Sequence, residues 1–226
     1  MNKLKKFIWF TAITLGIIIF QNVYSQRWNG ESGINIWSLW TLNVNAGLTS
    51  YYGDISMYDY TVSDKLMYES GSAMGLILTK QFNNSFGISA QLLTGKLKGK
   101  RGNFSFKSDL FEYNLHIRIN LINVFFSNKL TKFGIIGYAG IGQFLFKTTS
   151  YRNDDGYIET ETQDTGVPEF MFFYGAGICY NVTNKFGITA DISLRHCQND
   201  KLDNFLKNHD YDYYTYANIG ITYNIS

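Results

Sequence analysis

The sequence predicts an all-β protein, an eight-stranded antiparallel up-and-down transmembrane β-barrel preceded by a cleaved signal peptide. Three observations carry the prediction. Apolar residues recur with period two from Trp40 onward, the links between these runs alternate between short and long, and the N-terminus has the form of an export signal.

Lys3, Lys5 and Lys6 form a charged start, and "FIWFTAITLGIIIF" (7–20) an apolar centre too short for a spanning helix, which needs about 20 residues. Ser25 before Gln26 marks the expected cleavage point, so 1–25 is the expected leader and the mature chain starts at 26. No cysteine follows the apolar run closely, which argues against a lipid anchor. Removing three lysines takes the formal charge from +2 to −1, because 17 basic side chains then face 18 acidic ones. No overall basic surface for nucleic acid is indicated. Segment 26–39 has no strong period and is expected to stay periplasmic, ahead of a barrel spanning 40–226.

The first strand is expected at 40–53, where Leu42, Val44, Ala46 and Leu48 alternate with Asn43, Asn45, Gly47 and Thr49. Further strands are expected at 70–82, 86–97, 108–121, 133–147, 169–182, 186–197 and 212–224. The fourth is the clearest: Phe111, Tyr113, Leu115, Ile117, Ile119 and Leu121 share one face, and Glu112, Asn114, His116, Arg118 and Asn120 the other. Links 83–85 and 183–185 are short and 122–132 moderate, whereas 54–69, 98–107, 148–168 and 198–211 are expected to be long polar loops. An even strand number with short turns on one side and long loops on the other is the pattern of an outer-membrane barrel. Parity alone also suits a soluble sandwich. The barrel is favoured by 17 Tyr, 18 Phe and 4 Trp, by a single Pro, and by glycines on the presumed inner face of a narrow lumen.

The triplet Phe-Gly-Ile occurs at 86–88, 133–135 and 186–188, each time after a polar turn. In a barrel the Phe would stand at the periplasmic rim, Gly would point inward and Ile outward. Phe82, Phe86, Phe133, Tyr180 and Phe186 are therefore the expected periplasmic aromatic girdle.

The chain resembles the small OmpA/OmpX-like barrels of Gram-negative outer membranes, and its aromatic, Asn-rich style is similar to that of Bacteroidota. "NAGLTSYYGDI" (45–55), with Gly47, Tyr51 or Tyr52, Gly53 and Asp54, is similar to the first strand of PorG-like barrels. "RGNFSFKSDLFEYNLHIRINL" (101–121) resembles that family's third loop-to-strand passage through Arg101, Phe104, Phe106, Ser108, Leu110, Glu112 and Asn120. The resemblance implies a non-enzymatic envelope component that partners the periplasmic ring of the type IX secretion and gliding machinery. The chain departs from the usual barrel ending, because Tyr223 lies three residues before the end in place of a terminal aromatic.

Candidate chemistry lies on the inner face. Glu112, His116 and Arg118 on the fourth strand and Asp191 and Arg195 on the seventh are expected to pair as a polar lumen network, since a Lys or Arg facing midplane lipid costs about 2–4 kcal/mol. A filled lumen is the expected outcome, with a gated pore or small-ligand site as the alternative. A lipid-modifying enzyme is a third reading, with His196 and either Ser193 or Asp200 as its best pair and no spacing signature behind it; His209 lies in the last loop. Cys179 should face about residue 189, leaving Cys197 some eight residues further along, roughly 27 Å at 3.4 Å per residue. That is far beyond the ~7 Å a disulfide spans, so both thiols are expected to be free and lumen-facing. No metal-ligand spacing, phosphate loop or nucleotide fingerprint is present, and no cofactor is expected.

Lys96, Lys98, Lys100, Arg101 and Lys107 form one basic stretch, and Asp154, Asp155, Glu159, Glu161, Asp164 and Glu169 an acidic one. They are expected as solvated, mutually attracting loops, or else as contacts for lipopolysaccharide phosphates and divalent cations. The tyrosine-rich stretch 208–218 reads as a loop tip for a partner, or as part of an outer girdle. The expected surroundings are thus outer-membrane lipid and periplasmic envelope proteins.

Overall fold

The computed structural model of the chain describes residues 40–52, 69–83, 85–125, 132–154, 157–164, 166–197 and 213–225. The expected leader 1–25 and segment 26–39, together with Gly53, Asp54, Asp155, Asp200 and His209, lie outside the described residues.

Period-two alternation becomes strand in every run: β1 (Trp40–Tyr52), β2 (Ser70–Gln81), β3 (Phe86–Arg101), β4 (Phe104–Asn120), β5 (Phe133–Asp154), β6 (Tyr157–Asp164), β7 (Glu169–Asn181), β8 (Phe186–Cys197) and β9 (Tyr213–Ile225). Eight of them close a ring. Each pairs antiparallel with its neighbour, β4 pairs β5, and β1 pairs β9 from Trp40↔Ile225 to Tyr52↔Tyr213. Closure removes the sandwich alternative, because a sandwich leaves sheet edges and this ring has none.

Following cross-strand partners once around the ring measures its stagger. Trp40 leads to Lys80, Ile88, Ile117, Ala139, Tyr174, Leu194 and Thr215, and back to β1 at Ser50, ten positions higher. Eight strands with that shear tilt by roughly 40° and set a backbone radius of roughly 8 Å, given strands about 4.8 Å apart rising about 3.3 Å per residue. Such a lumen is filled by side chains. The outward residues are apolar and open, among them Val44, Met74, Leu115, Ile141, Ile192 and Ile219. From Phe186 to His196 this band rises about 33 Å along β8, or about 25 Å along the axis after tilt, the height of a hydrocarbon-spanning surface.

The short-turn rim shows why Phe-Gly-Ile recurs. Asn83 Oδ1 accepts the backbone N–H of Ser85 (2.8 Å) and Phe86 (2.7 Å). Thr183 Oγ1 accepts from Lys185 (3.2 Å) and Phe186 (2.9 Å) in the same way. A capping side chain three residues before Phe therefore closes both tight turns. The third copy has Leu130 at that place, and its link instead begins with a helical turn, α1 (Leu121–Phe125).

Two expectations fail at the opposite end. Residues 98–107 are a hairpin rather than a long loop: β3 and β4 stay paired up to Arg101↔Phe104, across Gly102 and Asn103. Gly102 has φ 58°, the positive value that a tight two-residue hairpin needs at its first central position. The loop expected at 148–168 contains β6, a ninth strand paired with β5 from Lys147↔Asp164 to Asp154↔Tyr157. Between Lys147↔Asp164 and Phe144↔Glu169, four residues ending in Pro168 stand against two of β5, so β6 and β7 are one strand interrupted. Pro168 has no N–H to continue the ladder. Polar composition suggested loops here, but the alternation of polar residues in water is still a strand pattern once a neighbouring strand is available. The strands β3 to β6 thus extend past the ring as a four-stranded sheet.

Gly47 stands at the β1–β9 closure, where a Cβ would overlap the backbone of Ala217 and come within 2.6 Å of Asn218 Cα. Gly47→Val is expected to destabilise the folded barrel by about 2–3 kcal/mol, whereas Ala46→Val on the outward face leaves it unchanged. Urea unfolding in lipid vesicles, read by heat-dependent gel mobility, measures both.

Candidate functional site

The lumen is divided into three layers along the axis. Nearest the extended sheet, Tyr51, Leu97, Phe106, Phe144, Met171 and Tyr214 form a buried apolar plug, with Tyr51 edge-on to Phe106 at 4.9 Å. Below it lies a charged layer. Glu112 Oε2 accepts from Arg195 Nε at 2.8 Å and from the Tyr214 hydroxyl at 2.6 Å, and Oε1 accepts from Asn114 Nδ2 at 2.5 Å. Arg195 Nη1 donates to Ser193 Oγ and Nη2 to Gln91 Oε1 at 3.5 Å. The Arg195 guanidinium also lies 5.2 Å from the ring centroids of Phe173 and Tyr216 and 5.7 Å from that of Tyr214. Both side chains of the pair are essentially inaccessible, at 1% and 0% exposure.

A buried ion pair is tolerated only when its remaining polar atoms are bonded, and here they are. The layer continues through His116 Nδ1 on Asn114 Oδ1 (3.0 Å) and Tyr216 OH on Asn45 Oδ1 (2.7 Å). Asn45 donates to Asn43 (2.8 Å), which in turn donates to Thr189 (3.0 Å) and Thr222 (2.9 Å). The His116 ring packs 5.5 Å from both Tyr138 and Phe173.

Arg118 and Asp191 stand apart from this layer. Arg118 Nη2 lies 4.0 Å from Asp191 Oδ1, too far for a hydrogen bond, and the guanidinium sits 5.9 Å from the Tyr138 ring. Of the five residues expected to form one network, the structure joins Glu112 and Arg195 directly, reaches His116 through Asn114, and leaves Arg118 with Asp191 as a second, looser pair. The third layer is a cavity of about 420 Å³ running from Arg118 to the short-turn rim.

Sequence reading missed Tyr214 and Tyr216. Both were assigned to a loop tip or outer girdle, yet both point inward and are fully buried. Their signal was parity: Asn218, Gly220, Thr222 and Asn224 are the polar set of β9, and 214 and 216 continue it.

On the outside, the expected girdle residues lie at the short-turn rim. Phe82 stacks on Phe86 at 5.9 Å, Phe133 and Tyr180 are cross-strand partners, and Phe186 packs on Tyr223 at 5.2 Å. Near the other rim His196 is stacked on Phe172 at 4.7 Å and lies 5.7 Å from Tyr213. This corrects the Ser193 version of the hydrolase pair; Asp200, its alternative, lies outside the described residues. His196 faces outward while Ser193 faces the lumen and donates to Tyr216 O at 3.2 Å, so the barrel wall separates them. Cys179 and Cys197 form no disulfide; Cys179 partners Thr189 and Cys197 partners Met171 in register. Among the described residues no cluster of His, Cys, Asp and Glu is placed to hold a metal.

The four lysines of the basic stretch, Lys96, Lys98, Lys100 and Lys107, share the outward face of the β3–β4 hairpin. Lys98 and Lys107 are direct cross-strand partners, and Lys96 pairs with Asp109 at 3.7 Å. From the acidic stretch, Asp164 meets Lys147 at 3.9 Å. Like charges directly opposite each other repel, so Lys98 and Lys107 create local demand for an anion.

The sequence profile of the family described as "Outer membrane protein beta-barrel domain" matches residues 34–225, which include all nine strands. Among solved structures, the chain is similar to neisserial surface protein A (11% identity, 83% of this chain and 97% of that one, TM-score 0.49). It is also similar to Ail, the attachment invasion locus protein of Yersinia pestis (17%, 81% and 96%, TM-score 0.45), and to OprG of Pseudomonas aeruginosa (12%, 84% and 98%, TM-score 0.44). No curated protein sequence matches.

Removing one member of the central pair strands the other in the lumen. Glu112→Ala is expected to destabilise the barrel by about 3–5 kcal/mol. Glu112→Met with Arg195→Met should cost clearly less than the sum of the two single changes. A double-mutant cycle of unfolding free energies in detergent or vesicles checks both values.

Proposed function

Because the chain belongs to the outer membrane β-barrel protein family, we propose that it serves the cell envelope as a non-catalytic structural and interaction component whose outer surfaces engage protein and lipid partners. The observation that carries this reading is the bonded central layer: Glu112, Arg195, Tyr214 and Tyr216 have no more than 1% exposure and fill the lumen between the plug and the cavity. A barrel filled in this way holds a shape and does not conduct.

In this reading the leader 1–25 exports the chain and both barrel ends face the periplasm, where Trp40 and Ile225 meet on the short-turn rim. Lipopolysaccharide phosphates lie against Lys98 and Lys107, at the outer end of the apolar band. The partner is the periplasmic ring of a type IX secretion and gliding machinery, as the PorG-like resemblance implies. Support comes from where the resembling residues sit: Phe104, Phe106, Ser108, Leu110, Glu112 and Asn120 share the inward face of β4, and Tyr51 packs on Phe106. The two similar stretches therefore build one part of the lumen.

Affinity purification from gently solubilised envelopes tests both contacts. Wild type is expected to bring ring components and lipopolysaccharide with it, while Lys98→Glu with Lys107→Glu loses most of the lipopolysaccharide and keeps the ring proteins. Recovery of the barrel without ring components would remove the secretion assignment, and unchanged lipopolysaccharide in the double variant would remove the lysine site.

A further inference from the structure

We propose that the cavity at the short-turn end is a blind binding site for a small, hydroxyl-rich carboxylate, of the size and chemistry of a sugar acid, with the Arg118 guanidinium as its anchor. Arg118 lines the cavity with its side chain only 10% exposed. It has no hydrogen-bond acceptor among the described residues: its contacts are Asp191 at 4.0 Å and the Tyr138 ring at 5.9 Å. Arg195, one layer above, shows what this barrel does with a buried guanidinium that belongs only to structure, since each of its three nitrogens has a partner. A buried arginine with its fork unbonded and turned to a cavity is short of an oxyanion, and the planar fork suits a carboxylate bidentately.

The walls fit the remainder of such a molecule. Asn120 uses its side-chain oxygen to accept from the Asn123 N–H (3.3 Å), leaving its amide N–H groups without a partner among the described residues. The side chain of Asn181 likewise has no partner there, and both residues line the cavity. Glycine at 134 makes the room, because a Cβ there would come within 2.7 Å of Asn120 Nδ2 and 2.6 Å of Cys179 Sγ. Neutral amides and hydroxyls around a single unbonded cation match a monoanion carrying hydroxyl groups. The volume of about 420 Å³ lies within the range of small-molecule sites. The Glu112–Arg195 layer closes the top, so the ligand enters and leaves by the same mouth.

Asp191 sets the strength of the site. Its Oδ1 is buried without a hydrogen bond and is, among the described residues, the one carboxylate oxygen within 4.0 Å of Arg118, so it competes with a ligand for the guanidinium. Neutralising it should tighten carboxylate binding, an effect that a purely structural role for the pair would not produce.

Titration calorimetry of the full-length barrel, folded in a non-ionic detergent, tests the site with D-glucuronate as probe and D-glucose as neutral control. Folding of each variant is verified by heat-dependent gel mobility. Wild type is expected to bind glucuronate saturably at one per barrel and not to bind glucose. Arg118→Gln should weaken glucuronate at least tenfold, and Asp191→Asn should tighten it severalfold. Absence of saturable glucuronate binding, equal binding of glucose, or equal affinity in Arg118→Gln overturns the proposal. Should Arg118→Gln not fold, Asp191→Asn decides, and an affinity no tighter than wild type overturns it.

Discussion

A sheet immersed in hydrocarbon must pair every backbone N–H and C=O within itself, and the only sheet that does so is one closed on itself. Eight strands with a shear of ten fix the radius of this ring, and the radius fixes the size of the lumen. Everything inside follows from that number. Side chains from opposite walls meet near the axis, glycines on the neighbouring strand leave room beside large residues such as Tyr138 and His116, and a charge that enters must find its counter-charge there. Glu112 from β4 and Arg195 from β8 meet in this way. The pair contributes less as net attraction than as a condition on its neighbours, because each remaining polar atom had to be given a partner before two charges could be tolerated out of water.

The wall of the barrel was legible in the sequence for a simple physical reason. A strand with lipid on one side and a narrow lumen on the other sorts its residues by parity, and lipid tolerates almost no exceptions. Val44 against Asn45 and Leu115 against His116 are decided one residue at a time. The contents of the lumen were less legible. Which inward residues touch depends on the shear, which no local pattern encodes: Glu112 and Arg195 are 83 residues apart and lie on strands that are not neighbours. The inward tyrosines 214 and 216 were hidden by their setting, since a tyrosine-rich stretch beside a loop suits a rim, a binding tip and a lumen equally by composition. Beyond the hydrocarbon the parity signal fades because water covers both faces. There β6 and the upper parts of β3 and β4 read as loops, although the register shows a continuous sheet.

Layering separates what holds the fold from what remains available for function. The apolar plug and the Glu112–Arg195 layer are saturated, with rings packed on the guanidinium and hydrogen bonds on the carboxylate. Among the described residues the Arg118 guanidinium, the Asn120 amide N–H groups and the exposed Asn181 side chain have no hydrogen-bond partner, and all three residues line one cavity. On the outer surface the same contrast appears between Lys96, matched by Asp109, and the facing pair Lys98 and Lys107. Arg118 beside its cavity and the facing lysines on the hairpin are, among the described residues, charges left without a counter-charge in bonding distance, and they fall towards the two ends of the apolar band.

The central claim is that the middle of the lumen is sealed by paired side chains, and electrical recording addresses it most directly. Purified barrels inserted into a planar lipid bilayer in molar potassium chloride are predicted to give no resolvable current steps at moderate voltage. Reproducible unitary conductance from the folded wild-type protein would contradict the account, since it requires a continuous water path through the layer held by Glu112 and Arg195.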